Sequence, residues 1–146
     1  MVQLGHVVLY VRRLDESVEF YRDVVGLSLV GQVFNNRAAV LTGGSTHHEL
    51  LLIEVGDAPG PLSGHRLGLY HVGWCVGNSL DQLRATRDRI LAHGVEIDGM
   101  ADHTVSHSLY LRDPDGNEIE LYVDNPEVDW RASGDWMQHP VKPLTL

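Results

Sequence analysis

Apolar residues change their period several times along the chain, and the changes mark out its elements. Residues 4–11, LGHVVLYV, are rich in β-branched and aromatic side chains and predict a strand. Asp15-Glu16-Ser17 then predicts a helix start, since acidic residues suit the positive end of the helix dipole. Val18, Phe20, Tyr21, Val24 and Val25 give that helix its apolar side, and Gly26 ends it. Residues 27–34, 37–42 and 47–55 read as three further strands, separated by an Asn35-Asn36 turn and a Gly43-Gly44-Ser45 break. The same order then returns. Residues 69–76 predict a strand, and Ser79 caps a helix over 80–92 that His93-Gly94 closes. Residues 95–100 predict a short strand before an irregular 101–105, and 108–112 and 117–123 form a hairpin around Asp113-Pro114-Asp115-Gly116.

Both halves therefore read β-α-β-β-β, which makes the fold class α+β. The residues repeat with the elements. His6 and His71 lie 65 positions apart, Arg22-Asp23 and Arg87-Asp88 share that offset, and Ile53-Glu54 and Ile119-Glu120 match at 66. Two copies make a pseudo-twofold pair rather than a solenoid. We expect one domain over 1–146, with module 1 at about 1–56, a linker at about 57–67, module 2 at about 68–124 and a tail at 125–146. The linker is rich in glycine and proline. The unrepeated tail carries Trp130, Trp136 and Met137 among polar residues, so it is expected to dock on the pocket mouth or on a partner subunit.

Charge and cysteine narrow the function classes. A net charge of −9 argues against nucleic acid or an anionic membrane as partner, because both need basic surface. Cys75 is the single cysteine, which excludes an internal disulfide and fits a reducing cytoplasm. No apolar run approaches the roughly 20 residues of a membrane span. The opening residues do not read as a signal peptide. The expectation is a cytoplasmic, soluble protein.

The candidate chemistry begins in 109–123, LYLRDPDGNEIELYV. Alternation places Glu118, Glu120 and Tyr122 on one strand face and Ile119 and Leu121 on the other. A carboxylate on an apolar strand is costly to bury without a cation to meet it. If equivalent strands of the two modules come together, His6 and His71 meet and Glu120 joins them. A lone strand histidine is more often structural than a ligand, and the repeat-equivalent placement is what points to a metal. Two imidazoles and a carboxylate leave coordination positions open, which suits Fe(II), O2 and a chelating substrate. Mn(II), Ni(II) and Zn(II) also accept these donors. His48 and either His103 or His107 are candidates for proton transfer. Tyr110, ten residues before Glu120, can reach across the hairpin, although a core tyrosine with a satisfied hydroxyl is as good a reading. Cys75 shares the His71 face and so borders the same pocket, and its plain reading is a buried, inert thiol.

GHVVLYVRRLDESVEFYRDVVGL, LYHVGWCV and above all SLYLRDPDGNEIELY resemble the vicinal oxygen chelate superfamily over nearly the whole chain to Asp124. The resemblance implies two βαβββ modules forming an open, curved mixed sheet around a divalent metal. It is nearest to single-domain type I extradiol dioxygenases of the catechol 2,3-dioxygenase kind. That implies His6, His71 and Glu120 as ligands of Fe(II), His48 as acid/base, and Tyr110 with His103 or His107 lining the site. It further implies a small aromatic diol and O2 as substrates and a homodimer. Glu54 keeps an alternative open. In glyoxalase I the fourth strand supplies a glutamate ligand, so Glu54 could be a fourth ligand and base for a lyase or epimerase on Ni(II) or Zn(II). The His47-His48 pair favours the dioxygenase.

Overall fold

The computed structural model describes residues 2–146 and divides into two compact units, one running to Gly64 with the Asp113–Gly116 turn, the other comprising the remaining residues. Each is built on an open, mixed sheet that does not close into a barrel.

In the first unit β1 (Val7–Val11) lies parallel to β4 (Leu50–Glu54), which pairs antiparallel with β3 (Ala38–Thr42) and so with β2 (Ser28–Val33), in the order β1-β4-β3-β2. The parallel pairing sets Val7, Leu9 and Val11 beside Leu50, Leu52 and Glu54. Leu50, Leu52 and Val11 are buried on this face, while Val8 and Tyr10 on the other face are exposed. The core side is covered by α1 (Leu14–Glu19), whose first turn carries Asp15 and Glu16. The predicted single helix changes pitch at Phe20. Residues Phe20–Val25 are π-helical, and Gly26, left-handed at φ 103°, donates its amide back to Tyr21 across five residues. Phe20, Tyr21, Val24 and Val25 are all buried, and the wider turn presents all four to the core. The Tyr21 hydroxyl donates to Asp113 Oδ2 at 2.8 Å with both side chains buried.

The second unit repeats the plan. β5 (His71–Gly77) runs parallel to β8 (Glu118–Asp124), followed by β7 (Ser106–Arg112) and β6 (Ile97–Asp102), both antiparallel to their neighbours. The expected helix is found as α2 (Leu80–Ala92). The Ser79 hydroxyl accepts from the Gln82 amide, Gln82 Oε1 accepts from the Asn78 amide, and Gly94 follows in the left-handed region. Leu83 and Ile90 of α2 are buried, as are Leu109, Leu111, Ile119 and Leu121 of β7 and β8, the strands on which α2 packs. The tail forms a 3-10 turn at Asp135–Gln138, then β9 (Lys142–Pro143), which pairs antiparallel with β6. Trp130 remains half exposed beneath the Arg131 guanidinium, 4.0 Å from its ring centroid. Among the described residues no helix is long and apolar enough to cross a membrane.

Candidate active site

The second unit gathers three of the expected residues, His71, Tyr110 and His103, around the carboxylate of a fourth, Glu120. Strand register explains how. Glu120 of β8 stands beside Gly73 of β5 on one side and Tyr110 of β7 on the other. His71, two residues before Gly73, reaches it from the row below, with Nε2 3.2 Å from Glu120 Oε2. The Tyr110 hydroxyl donates to Glu120 Oε1 at 3.0 Å. His103, in the turn after β6, brings Nε2 to 2.7 Å from the Tyr110 oxygen. Tyr110 has one proton and gives it to Glu120, so His103 Nε2 must carry the proton of that contact. Burial first, then the charge and hydrogen bond of Glu120, push the Tyr110 pKa up to about 12. Tyr110 therefore stays a donor throughout the neutral range.

His103 and His107 separate here. Strand alternation puts Tyr110 with Ser106 and Ser108, and His107 on the opposite face with Leu109 and Leu111, where its Nε2 lies 3.7 Å from Asp102 Oδ1. The Thr104 backbone is left-handed at φ 70°, the Thr104 amide donates to Asp102 Oδ1, and Asn125 Nδ2 donates to the Thr104 carbonyl. That turn holds His103 on the Tyr110 side. Cys75 keeps the expected face, next to Tyr122 in register, but it is exposed rather than buried. Its thiol donates to the Gly77 carbonyl at 3.3 Å.

In the first unit His6 and His48 lie together, with ring centroids 4.7 Å apart, and the His47 ring lies against His48 at 4.4 Å, tilted by 44°. Both members of the His pair stand outside β4, which begins at Leu50, so His48 does not follow the buried face of Leu50 and Leu52. The cause is Glu49. Its carboxylate accepts from the amides of Gly43, Ser45 and Thr46 and the hydroxyls of Thr42 and Ser45. This cradle, led by the Ser45 hydroxyl, lowers the Glu49 pKa to about 2. It turns the chain just before the strand and sets His48 against His6. Desolvation, then the neighbouring His47 and His6, hold the His48 pKa below the usual imidazole range, so it is neutral at neutral pH.

Glu54 goes elsewhere. Its Oε2 accepts the Leu14 amide at 2.8 Å, capping the first turn of α1 from a distance. By register it shares the buried face with Val11, Leu50 and Leu52, opposite to Val8 and Tyr10.

Among the described residues no three His, Cys, Asp or Glu side chains are already gathered as a metal-binding group. The second unit nonetheless has the donor chemistry of part of one. Two ligand atoms about 2.1 Å from one ion and at right angles around it stand about 3 Å apart, which suits His71 Nε2 and Glu120 Oε2. Two residues escaped the sequence reading. Gly73 leaves space for Glu120, since a Cβ there would lie 3.2 Å from Oε2. Glu118 accepts His71 Nδ1 at 3.1 Å. The signal for Glu118 was present, because it shares the Glu120 face.

Comparison with known proteins gives a consistent picture. The family model described as Glyoxalase/Bleomycin resistance protein/Dioxygenase superfamily matches residues 3–121. A catechol-2,3-dioxygenase of Bacillus subtilis (strain 168) is 35% identical over 88% of this chain and 44% of its own length. Biphenyl-2,3-diol 1,2-dioxygenase 3 of Rhodococcus globerulus is 33% identical over 84% of this chain and 64% of its own. The chain thus spans less than two thirds of either relative. A solved glyoxylase/bleomycin resistance protein/dioxygenase domain from Frankia sp. EAN1pec has the same fold, at a TM-score of 0.69 and 21% identity over 91% of this chain and 99% of its own.

Proposed function

The chain belongs to the glyoxalase/bleomycin resistance protein/dioxygenase superfamily, and on that footing we propose that it is a metal-dependent extradiol dioxygenase, cleaving a catechol-type ring beside its two hydroxyls with O2 to give a muconic semialdehyde. His6, His71 and Glu120 are the proposed ligands, and Fe(II) or Mn(II) the proposed metal. The observation that carries this reading is the division of labour between the two repeat-related glutamates. Glu120 faces His71, Tyr110 and His103, whereas Glu54 is occupied by the Leu14 amide on the buried face of its sheet. Three protein ligands would leave room for a diol and O2, and Glu54, engaged by the Leu14 amide, is not proposed as the fourth ligand and base of a glyoxalase-type site.

When bound, the metal supplies Lewis acidity toward vicinal oxygens and redox coupling to dioxygen. The protein residues supply the rest. Neutral His48 accepts a proton from a substrate hydroxyl at a ring nitrogen and later returns one. Tyr110, kept protonated, holds Glu120 by its hydrogen bond, and His103 Nε2–H fixes the Tyr110 oxygen in turn. The dioxygenase relatives named above support an aromatic diol as substrate.

The test is anaerobic reconstitution with Fe(II) or Mn(II), addition of ring-substituted catechols, and measurement of oxygen uptake with the yellow ring-opened product. Turnover that falls at least about 100-fold in His48→Ala while the metal is retained supports the assignment. No turnover with any catechol, alongside Ni(II)-dependent activity on a methylglyoxal–thiol adduct, overturns it.

A further inference from the structure

Behind His71 stands a second carboxylate that the catalytic reading leaves without a task. Three strands of the second unit place it. In the parallel β5–β8 pair Glu118 is the register partner of His71, and in the antiparallel β7–β8 pair it is the partner of Arg112. The row His71–Glu118–Arg112 therefore runs directly beneath the row Gly73–Glu120–Tyr110. Glu118 Oε1 lies 3.1 Å from His71 Nδ1, and its Oε2 lies 3.1 Å from Arg112 Nη2. Arg112 Nε in turn donates to Asp98 Oδ2 at 2.9 Å, and the Tyr70 hydroxyl also hydrogen-bonds Glu118.

We propose that Glu118 is the positioning residue of the metal centre, accepting Nδ1–H of His71 so that the Nε2 lone pair is presented beside Glu120. This rests on the reading of His71 and Glu120 as ligands. The alternative is an ordinary surface ion pair between Glu118 and Arg112. Two observations separate them. The Glu118 side chain is only 10% exposed although Arg112 is 53% exposed, so the carboxylate has left solvent on the His71 side. The imidazole also stands between two carboxylates, with Nδ1 3.1 Å from Glu118 and Nε2 3.2 Å from Glu120. With Nδ1 committed as donor to Glu118, ring rotation and the other tautomer are both disfavoured. A ligand imidazole needs that constraint, and removing such a partner typically weakens metal binding by about 10–100-fold.

The experiment compares Mn(II) dissociation constants, read by electron paramagnetic resonance of the free ion, for the whole chain and three variants. Glu118→Ala should weaken binding by about 10–100-fold. Glu118→Gln keeps an oxygen able to accept Nδ1–H and should recover most of the loss, while its unfolding midpoint shows whether the fold is kept if the alanine variant is unstable. Glu120→Gln removes a proposed ligand and should bind more weakly than either. In the Co(II)-loaded protein the exchangeable Nδ1–H of the ligand imidazole should give a shifted proton resonance that moves in Glu118→Gln and is broadened by solvent exchange in Glu118→Ala. Wild-type protein that binds Mn(II), with both Glu118 variants within twofold of it and the resonance unmoved, overturns the positioning role and leaves the metal reading intact. Wild-type protein that binds neither Mn(II) nor Co(II) overturns the metal reading and this inference with it.

Discussion

Gly73→Ala should separate the metal centre from the fold around it. The glycine sits beside Glu120 in the β5–β8 pair, and its backbone is not in the left-handed region, so alanine introduces no φ strain. Fewer backbone states in the unfolded chain then favour alanine by about 0.4–1 kcal/mol. Opposing this, the new Cβ would stand 3.2 Å from Glu120 Oε2, with Tyr122 Cε1 at 3.5 Å and Cδ1 at 3.7 Å. The ring contacts are ordinary. The oxygen contact is about 0.3 Å short of comfortable separation, so the carboxylate has to move. Glu120 is held by the Tyr110 hydroxyl on one oxygen, and its other oxygen stands 3.2 Å from His71 Nε2, so a shift either lengthens the hydrogen bond or changes the spacing of the two proposed ligand atoms. Ligand constellations tolerate about 0.5 Å, and misplacement by about 1 Å costs about 100-fold. A displacement of a few tenths of an ångström should then cost about tenfold in affinity, or ~1.4 kcal/mol. The assay is paired: urea unfolding of the metal-free protein and Mn(II) titration. Unfolding should be unchanged or slightly harder, and Mn(II) should bind about tenfold more weakly. Unchanged Mn(II) affinity would refute the reasoning, because it would mean that Glu120 is not confined against β5.

Glu54→Gln should leave metal stoichiometry unchanged and lower stability by less than about 1 kcal/mol, through loss of charge at the α1 N-terminus. Metal loss equal to that of Glu120→Gln would restore the four-ligand site. Tyr21→Phe removes a hydrogen bond to a buried carboxylate and should cost about 1.5–3 kcal/mol in urea unfolding. A cost below about 0.5 kcal/mol would show that Asp113 does not depend on it. Glu49, with its pKa depressed from 4.5 to about 2, contributes fully above pH 4.5 and loses its contribution as pH falls toward about 2. Amide resonances of Gly43, Ser45 and Thr46 should titrate with that low midpoint, and a midpoint above 4 would break the cradle argument.

How much was legible depended on whether local chemistry or packing made the choice. Helix α2 was written in Ser79 and His93-Gly94, and its bounds follow from them. The π-helical stretch was not, because Phe20, Tyr21, Val24 and Val25 also fit one face of an α-helix, and the pitch is settled by what they bury against. The β8 alternation correctly separated Glu118 and Glu120 from the buried Ile119 and Leu121. It could not show which residues of β5 and β7 flank each glutamate, and register set Glu118 between His71 and Arg112 and Glu120 between Gly73 and Tyr110. The strand read from His47 begins three residues later, since the Glu49 carboxylate collects donors from the preceding loop. Cys75 was placed on the right face but with the wrong burial, because that face of β5, with the exposed Gly73, is the polar side of its sheet.

The two-residue β9 has a consequence for how this sheet ends. An open sheet edge offers unpaired amides and carbonyls to any passing strand, and so invites chain-to-chain growth. β9 occupies the Ala101–Asp102 end of that edge on β6, with Lys142 beside Asp102 and Pro143 beside Ala101. Proline has no amide proton to offer on its outer side, and lysine adds a charge that a docking strand would have to bury. The segment therefore acts as a terminator. Removing residues 140–146 should leave α2 and the candidate site intact but open the Ala101–Asp102 end of β6 as well, and the shortened protein should aggregate at concentrations where the full chain stays dispersed.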